Sequence, residues 1–512
     1  MTGILITNSP AMAITLCVLT ALAVVARHYL IKAGKRRWPV TVALFILAVL
    51  AYLDFAHARV MASFVPARKG AYHYFMGAKY FKEVGQFNLY RFTLLADKET
   101  KIDRLKKIKK VRNQQDYELM RASQALKLAI EERPKAFSDE RWAEFKRDWV
   151  AMSRDLPPAV WERMLQDRGF NPPPFWSFIP GTVAQFIDIS NNQVFMWAMH
   201  IDMIVFALAV VVVGLCCGLD AALLVFLYVV LAWFYESKFI GTYFQFFWLA
   251  GLIVGMSLLR RGFGKISAAC FALSAMLRLF PLMFVTGPGI AWLRDWWQTR
   301  RWSKAWTGFL LAFFIASLIF VGIGLTRGRG PASTKDFVSK ITMHADNQKF
   351  DTNKFGLKRA IALKLTDPWP FISMEERVER FFQNKALYHF LLVAIVGLMI
   401  AAVWKKVDGD AWVVPLGAVI IFALMTASRY YFLLWVVFLI PGRENDRRGF
   451  AAFADALLFL NNALMFLIVH VLHDRAAFTA GNFGFLACSL LFPLYLLLHG
   501  RRETEPEKTA QP

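Results

Sequence analysis

The sequence predicts an all-α polytopic membrane protein with a helical cap outside the bilayer. Hydrophobic residues make up 57% and aromatic residues 15% of the 512-residue chain, a composition typical of membrane proteins. Apolar runs long enough to cross the hydrocarbon core recur along the chain, and short basic loops separate many of them. These loops account for part of the net charge of +23, and no patch interleaves basic and aromatic residues as a nucleic-acid groove would.

Residues 1–56 are predicted to form two membrane helices. The first, 11–30, is apolar throughout, and the residues before it lack the basic region of a cleavable signal peptide, so it should remain as a helix. The basic run 35–37 predicts a cytoplasmic loop, because short loops rich in Lys and Arg stay inside. The second helix, 39–55, then returns outward and carries Asp54 to the outer surface.

Residues 57–197 are predicted to form a cap on the outer side. Within it, 71–84 should be a helix near the membrane surface that ends at a glycine. The stretches 116–132 and 138–153 look amphipathic, and the second opens with a serine suited to capping a helix.

Residues 198–325 are predicted to be the membrane core. Spans are expected at 198–218, 221–235, 241–259 and 306–325. The stretch 265–293 has basic residues at both ends and is interrupted by Arg278 and Pro281, which predicts a hairpin of two short helices.

The C-terminal part is predicted to hold a second outer loop, 326–385, membrane helices within 386–500 and a cytoplasmic tail, 501–512. Spans are expected at 387–404, 412–427, 430–440, 450–471 and 483–499. The total of about 11–13 segments puts the N-terminus outside and the C-terminus in the cytoplasm. The short loops and the lack of eukaryotic sorting signals favour a bacterial inner membrane, with the endoplasmic reticulum as the alternative.

The cysteines and acidic residues predict no metal site. All five cysteines lie in apolar stretches without metal-ligand spacing and are interpreted as small buried hydrophobic residues. No clustered Asp-x-Asp or His-rich motif occurs, so we expect no metal and no cofactor.

Two local patterns in the cap could carry chemistry. Asp54, followed by Tyr74 and Tyr90, would present an acid and an aromatic helix to a polar substrate beside the bilayer; an ordinary interfacial aromatic belt is the alternative. Asn171 lies near the start of a stretch, 170–180, in which several prolines fix an extended backbone. A plain rigid connector is the alternative interpretation of these residues.

Two further patterns lie in the core. Gln245 ends the stretch 241–245, where its amide would bind a ligand or a neighbouring helix. Arg278 and Pro281 lie in an apolar hairpin, where the guanidinium needs an anion or carbonyl partners; a phosphate suits its forked geometry, and snorkelling to the surface is the alternative.

In this order, the four patterns resemble those of the GT-C superfamily of integral-membrane glycosyltransferases, particularly the polyprenyl-phosphate-sugar-dependent, family 87 mannosyltransferase-like branch. The resemblance covers roughly the first 300 residues. It is carried by Asp54 to Tyr90, by residues 171–180 and 241–245, and by Arg278 to Pro281. It departs from the family in one respect, because no acid directly precedes Tyr72 and the nearest upstream acid is Asp54.

The resemblance implies a GT-C-like bundle and a hexosyltransferase that uses a lipid-linked sugar phosphate. Asp54 would be the catalytic base, with His73 as the alternative and Glu83, Asp97 and Asp167 in reserve. Arg278 and Arg429 would hold the phosphate. The full set of implied substrate-binding residues is Tyr74, Lys79, Glu83, Asn171, Gln245, Arg278, His344, Asn353 and Arg429.

The expected partners are a polyprenyl-phosphate-linked sugar donor, membrane lipids and a glycan, lipid or protein acceptor in envelope glycan or glycolipid assembly, with no nucleic acid. Two other functions remain open at this stage. A non-enzymatic transporter or flippase of lipid-linked glycans would also need an interior arginine. An inactive assembly partner is favoured by the displaced acid.

Overall fold

Helices account for most of the chain in the computed structural model. The structure describes residues 10–54, 70–154, 156–232, 243–347, 354–363, 372–405, 410–440, 450–472 and 474–499. Within these ranges the β structure is limited to two short antiparallel pairs. The prediction of an all-α protein is therefore confirmed.

The N-terminal half contains two long helices, then many short ones, then the first core helices. The α-helices are Pro10–Lys32, Trp38–Asp54, Gly77–Lys79, Phe81–Val84, Leu89–Thr100, Ala122–Ala136, Asp139–Ser153, Pro158–Leu165, Phe178–Ala184, Asn192–Met199, Ile201–Cys217, Leu219–Val230 and Phe247–Arg260. A π-helical turn spans Tyr72–Met76 and a 3₁₀ turn spans Pro174–Ser177. The strands Lys110–Arg112 and Leu119–Arg121 pair with each other.

The C-terminal half alternates long and short elements. The α-helices are Gly264–Leu277, Thr286–Thr299, Lys304–Leu325, Pro331–Asn347, Leu357–Ala362, Met374–Gln383, Lys385–Trp404, Gly417–Leu424, Phe450–Leu472 and Asp474–His499. The 3₁₀ segments are Phe280–Val285, Asp410–Val413 and Arg429–Leu439. Strand Lys354–Phe355 pairs with strand Ala427–Ser428.

The long helices pack side by side. Pro10–Lys32 packs along Phe450–Leu472, so the two ends of the chain meet in one bundle. Gly264–Leu277 packs between Phe247–Arg260 and Lys304–Leu325. Small residues allow the close approach: a Cβ at Gly251 would lie 2.3 Å from the Ser274 hydroxyl oxygen.

Residues 70–184 include a group of helices with its own aromatic core. Leu89–Thr100 packs on Ala122–Ala136 and on Asp139–Ser153. The rings of Trp149 and Trp161 are 4.7 Å apart, and both contact Tyr72. Edge-to-face aromatic packing of this kind fixes the helix that carries His73 and Tyr74.

Two helix predictions in this region have different outcomes. The helix predicted at 138–153 is confirmed as Asp139–Ser153, and the Ser138 side chain accepts the N–H of Arg141. For the helix predicted at 116–132, the predicted start is too early. It begins at Ala122, because the preceding residues pair as a strand with Lys110–Arg112.

The stretch 71–84 is helical but not one regular helix. Tyr72–Met76 is π-helical, and Tyr80, with φ −108°, separates Gly77–Lys79 from Phe81–Val84. The segment ends at Gly85 with φ +54°, a conformation that favours glycine, as the sequence predicted.

The stretch 265–293 contains the two short helices that were predicted, joined through Phe280–Val285. Two apolar stretches farther on differ from the predicted spans. Residues 412–427 contain a helix only at Gly417–Leu424, and 430–440 is mainly 3₁₀. At the end of the first stretch, Ala427–Ser428 pairs as a strand with Lys354–Phe355, which is distant in sequence.

Among the described residues, four helices are long and apolar enough to cross a membrane. They are Pro10–Lys32, Asn192–Cys217, Lys304–Leu325 and Lys385–Trp404. Other apolar helices, including Phe247–Arg260 and Gly264–Leu277, are shorter.

Candidate functional site

Arg278 lies at the end of Gly264–Leu277, where the backbone changes from helical to extended. Its side chain is buried, with 8% of the residue exposed. Nη2 donates a hydrogen bond of 3.0 Å to the Tyr74 hydroxyl oxygen. Nε has no hydrogen-bond partner among the described residues, although a buried N–H normally has one. The site therefore holds a cation with a donor available for a ligand.

Aromatic side chains surround this guanidinium. Its central carbon lies 5.6 Å from the centroid of the Tyr74 ring, and that ring packs edge-to-face on Trp176. The Tyr430 hydroxyl donates to the Tyr431 hydroxyl at 3.1 Å, and the Tyr431 ring lies 3.8 Å from that of Phe280. The surroundings are apolar, which strengthens any ion pair that Arg278 forms.

The Asp167 carboxylate is held through one of its two oxygens. Oδ1 accepts hydrogen bonds from the Tyr90 hydroxyl and, at 2.7 Å, from the Gly169 N–H. His73 Nε2 lies 3.3 Å from the same oxygen and 2.8 Å from the Tyr90 hydroxyl oxygen. Because the Tyr90 hydroxyl donates its hydrogen bond to Asp167, a hydrogen on His73 Nε2 is shared between the Tyr90 oxygen and Asp167 Oδ1. Oδ2 has no partner among the described residues.

Asp167 faces a cavity of about 360 Å³, which Arg112, Arg168 and Asn171 also line. Its side chain is 48% exposed there, although protein surrounds it on its other sides. Burial alone would raise the pKa of Asp167. The charge and hydrogen bond of His73 and the bonds from Tyr90 and Gly169 outweigh burial and hold the pKa below its ordinary value. The carboxylate is ionised at neutral pH and lines the cavity.

His73 and Tyr74 connect the two halves of this site. They are consecutive in the π-helical turn, and they contact Asp167 and Arg278 respectively. An ionised carboxylate and a buried guanidinium thus belong to one cluster, built from the helix at 70–84, the loop at 167–171 and the end of Gly264–Leu277.

The helix Pro331–Asn347 adds two buried basic residues. Lys340 Nζ donates to the carbonyl oxygens of Gln86 and Phe170, at 2.5 and 2.9 Å. Burial lowers the pKa of Lys340 to about 7, and the charge of Asp167 opposes this shift. Lys340 therefore fixes the backbone beside the 167–171 loop.

His344 lies one turn farther along the same helix. Its Nδ1 is 3.1 Å from the Tyr117 hydroxyl oxygen, and that hydroxyl donates to Asn171 Oδ1 at 3.3 Å. Burial, and after it the surrounding positive charges, lower the pKa of His344 to about 3. In order of effect, those charges are Lys354, Arg168, Lys340 and Arg278.

The sequence-predicted site residues fall into three groups. His73, Tyr74, Asn171, Arg278 and His344 are brought together in the cluster just described.

The second group, Lys79 and Glu83, belongs to a separate network. Lys79 Nζ lies 2.9 Å from Glu144 and 2.7 Å from Asp148, and Arg141 Nε donates to Glu83 at 2.7 Å. These ion pairs join the helical stretch at 70–84 to Asp139–Ser153, away from the Arg278 and Asp167 cluster.

The third group consists of residues for which the structure shows no side-chain contact at the site. Gln245 contributes its backbone N–H to Asp202 at 2.9 Å. The side chains of Asp54 and Arg429 lie outside the described residues, as does Asn353 altogether. Gly241, from the same motif as Gln245, is also outside them.

Sequence reasoning held Asp167 only in reserve and missed Tyr117 and Lys340. Asp167 was within reach of the argument, because it comes three residues before the proline-rich stretch. Lys340 and His344 share one face of a helix by their i, i+4 spacing, which is a usable signal. Tyr117 lies in a turn with φ +63°, and no sequence pattern indicated its contacts.

No group of three or more His, Cys, Asp or Glu side chains in the described part of the chain is arranged to hold a metal ion. All five cysteines are free thiols.

Comparisons of the chain with protein-family models, with curated proteins and with solved structures found no match.

Proposed function

We propose that the chain is a polytopic membrane protein. The supporting observation is the exposure of large apolar side chains along one face of Lys304–Leu325. Leu311, Phe314, Ile315, Leu318 and Ile319 are each 50–59% exposed and follow helical spacing. A continuous apolar stripe of this kind is unfavourable in water and is suited to lipid.

The proposed orientation puts residues 70–184 outside the cytoplasm. It rests on the short basic loops near 35–37 and 260–261, which would lie on the inner side. The bacterial inner membrane is the proposed location, with the N-terminus outside and the C-terminus inside.

The proposed activity is transfer of a sugar from a polyprenyl-phosphate donor to an acceptor outside the cytoplasm. The observation that carries it is the buried Arg278, which has an unpartnered Nε and lies in one cluster with the ionised Asp167. An anionic phosphate is a natural partner for a forked guanidinium in apolar surroundings. The carboxylate, which lines the neighbouring cavity of about 360 Å³, suits an acceptor hydroxyl. The resemblance to GT-C glycosyltransferases supports the same activity.

In the proposed reaction the acceptor hydroxyl oxygen attacks the anomeric carbon of the donor sugar. The bond between that carbon and the phosphate oxygen breaks, and its electron pair leaves with the polyprenyl phosphate. The acceptor proton passes to Oδ2 of Asp167, which His73 and Tyr90 orient through Oδ1. Arg278 stabilises the charge that develops on the leaving phosphate. Asp54 stays an alternative base, and Asp54→Asn tests it in the same assay.

The test is radiolabelled sugar transfer by the purified full chain in lipid, with polyprenyl-phosphate hexoses as donors, beginning with mannose. Asp167→Asn is expected to lower the rate by about 10²–10⁴-fold. Arg278→Ala is expected to lower it by about 10²–10³-fold, and Arg278→Lys, which keeps the charge, by less. Asp116→Asn and Arg163→Ala are matched controls on the cap surface and should retain activity.

Full transfer activity in both Asp167→Asn and Arg278→Ala would overturn the mechanism. A wild-type protein that translocates lipid-linked sugar in proteoliposomes without transferring it would be a transporter. A protein that does neither would be an assembly partner.

A further inference from the structure

A second polar cavity lies at the other end of the helix pair that carries Arg278. It has a volume of about 1130 Å³ and is formed where five helix ends meet. Arg260 and Arg261 are at the turn between Phe247–Arg260 and Gly264–Leu277, whereas Arg278 is at the far end of the second helix. Fourteen residues of α-helix separate these ends by about 20 Å, so the cavity is distinct from the candidate site.

Among the residues that the structure describes, six basic side chains and one acidic side chain line this cavity. The basic residues are Arg27, Lys35, Arg36, Arg37, Arg260 and Arg261. The acid, Asp220, is already satisfied: Arg27 Nε donates to Oδ2 at 2.7 Å, and the Thr41 hydroxyl donates to Oδ1 at 2.5 Å. A strong excess of positive charge is left around the cavity.

The three basic residues at 35–37 have no carboxylate partner within the described part of the chain. On the opposite wall, Arg261 Nη2 donates to the Leu215 carbonyl at 3.0 Å and Arg260 Nη1 to the Ile440 carbonyl at 3.3 Å. The Leu215 carbonyl orients the Arg261 guanidinium but does not neutralise it. Cations that share one concave space repel each other, and an anion bound among them would relieve this repulsion.

The cavity opens beside exposed apolar side chains. Ile31, Trp38, Val42 and Leu219 line it and are 44–60% exposed. A cationic cavity with an apolar margin matches a molecule with an anionic head and a hydrocarbon tail. Arginine favours phosphate in particular, because its fork binds two phosphate oxygens at once.

We propose that this cavity is a phosphate-binding site. Its proposed ligand is the headgroup of an anionic lipid in the membrane. The site does not depend on the proposed sugar transfer, because none of its residues belongs to the Arg278 and Asp167 cluster. A soluble phosphate would supply the same chemistry, so the experiment separates the two sources.

The experiment measures ligand binding to the purified, detergent-solubilised full chain by native mass spectrometry. The probes are dioctanoyl phosphatidylglycerol, dioctanoyl phosphatidylcholine as the zwitterionic lipid, and inorganic phosphate. Arg36→Ala/Arg37→Ala removes two exposed side chains from the cavity and should weaken phosphatidylglycerol binding about 30-fold. Arg36→Lys/Arg37→Lys keeps the charge but not the fork, and should fall between that variant and the wild type.

Arg301→Ala/Lys304→Ala is the matched control, because it removes two exposed basic residues from another short loop that does not line the cavity. It should bind like the wild type. An unchanged melting temperature without lipid shows that each variant is folded.

Preference for phosphatidylglycerol over inorganic phosphate supports the site and identifies a lipid as the ligand. Equal binding of inorganic phosphate, lost in Arg36→Ala/Arg37→Ala, supports the site and identifies a soluble ligand. Equal binding of the two lipids, or equal weakening in the control variant, would overturn the proposal.

Discussion

Arg278 and Asp167 show how burial and partners set the chemistry of single residues. Arg278 is buried with one donor unused, so its charge is available only to a ligand that reaches the site. Asp167 has one oxygen held by several donors, and its side chain lines a cavity. Neither role follows from residue type alone, since Asp97 is also an aspartate and yet accepts bonds from the Leu105 N–H and Trp149 Nε1 among the helices of residues 70–184.

His344 gives a prediction about pH. Its native pKa of about 3 lies below the ordinary 6.5, so between these values the unfolded chain takes up a proton that the native protein does not. The free energy of unfolding should therefore fall as the pH drops from 6.5 towards 3, by at most about 1.4 kcal/mol per pH unit, and this effect should be absent above pH 6.5.

The measurement is thermal unfolding of the wild type and of His344→Gln at pH 7.5, 6, 5 and 4. Glutamine keeps an acceptor for Tyr117 and cannot titrate. The variant should lose less stability than the wild type as the pH falls. Parallel losses in the two proteins would contradict the assigned burial of His344.

At the scale of elements, two glycines on the helix Thr286–Thr299 differ in the space available for an added side chain. A Cβ at Gly287 would lie 1.8 Å from the Val413 carbonyl oxygen, whereas a Cβ at Gly289 would meet nothing within 4 Å. A Cβ at Gly417 would also lie too close to a neighbouring segment, 2.5 Å from the Phe284 Cα. These close approaches fix the position of the Phe280–Val285 segment. They therefore also fix the end of the hairpin that carries Arg278.

Gly287→Ala should therefore lower the free energy of unfolding by about 1–3 kcal/mol through overpacking. Gly289→Ala is the matched control and should be neutral or stabilising by up to about 1 kcal/mol, since alanine is the better helix former. Melting temperatures of the purified variants in detergent measure both effects. A Gly287→Ala protein as stable as Gly289→Ala would show that the two segments do not approach so closely.

Element prediction from sequence succeeded where local signals were sufficient. The helix start at Ser138 was predicted correctly, because the hydrogen bond that an N-cap side chain accepts is a local interaction. The stretches 412–427 and 430–440 were predicted as plain spans, because their hydropathy carries no trace of the pairing between Ala427–Ser428 and Lys354–Phe355. A partner more than 70 residues away in sequence decides that structure.

At the scale of the whole molecule, the exposed apolar stripe on Lys304–Leu325 tests the proposed membrane location. Ile315→Arg introduces a charge near the middle of this helix, which costs about 2.5–3.5 kcal/mol during membrane insertion. We expect the carbonate-resistant membrane fraction to fall clearly. Ile130→Arg is the matched control, because Ile130 on the cap helix Ala122–Ala136 is also 50% exposed and should tolerate the charge.

If Ile315→Arg and Ile130→Arg had the same effect on the membrane fraction, the stripe would not face lipid. The comparison uses one residue type at equal exposure, so only the surroundings of the two positions differ.

The sequence by itself determined that the protein is helical, where its apolar and basic segments lie, and that Arg278 is an unusual charge in an apolar hairpin. Those properties follow from local composition and spacing. Tertiary structure alone decided that Asp167 joins His73 at the site, that Lys79 and Glu83 pair with residues of Asp139–Ser153, and that Lys340 and His344 come from the distant helix Pro331–Asn347. The physical reason is that hydrogen bonds and burial depend on which segments meet in space, and a linear pattern does not encode the partner.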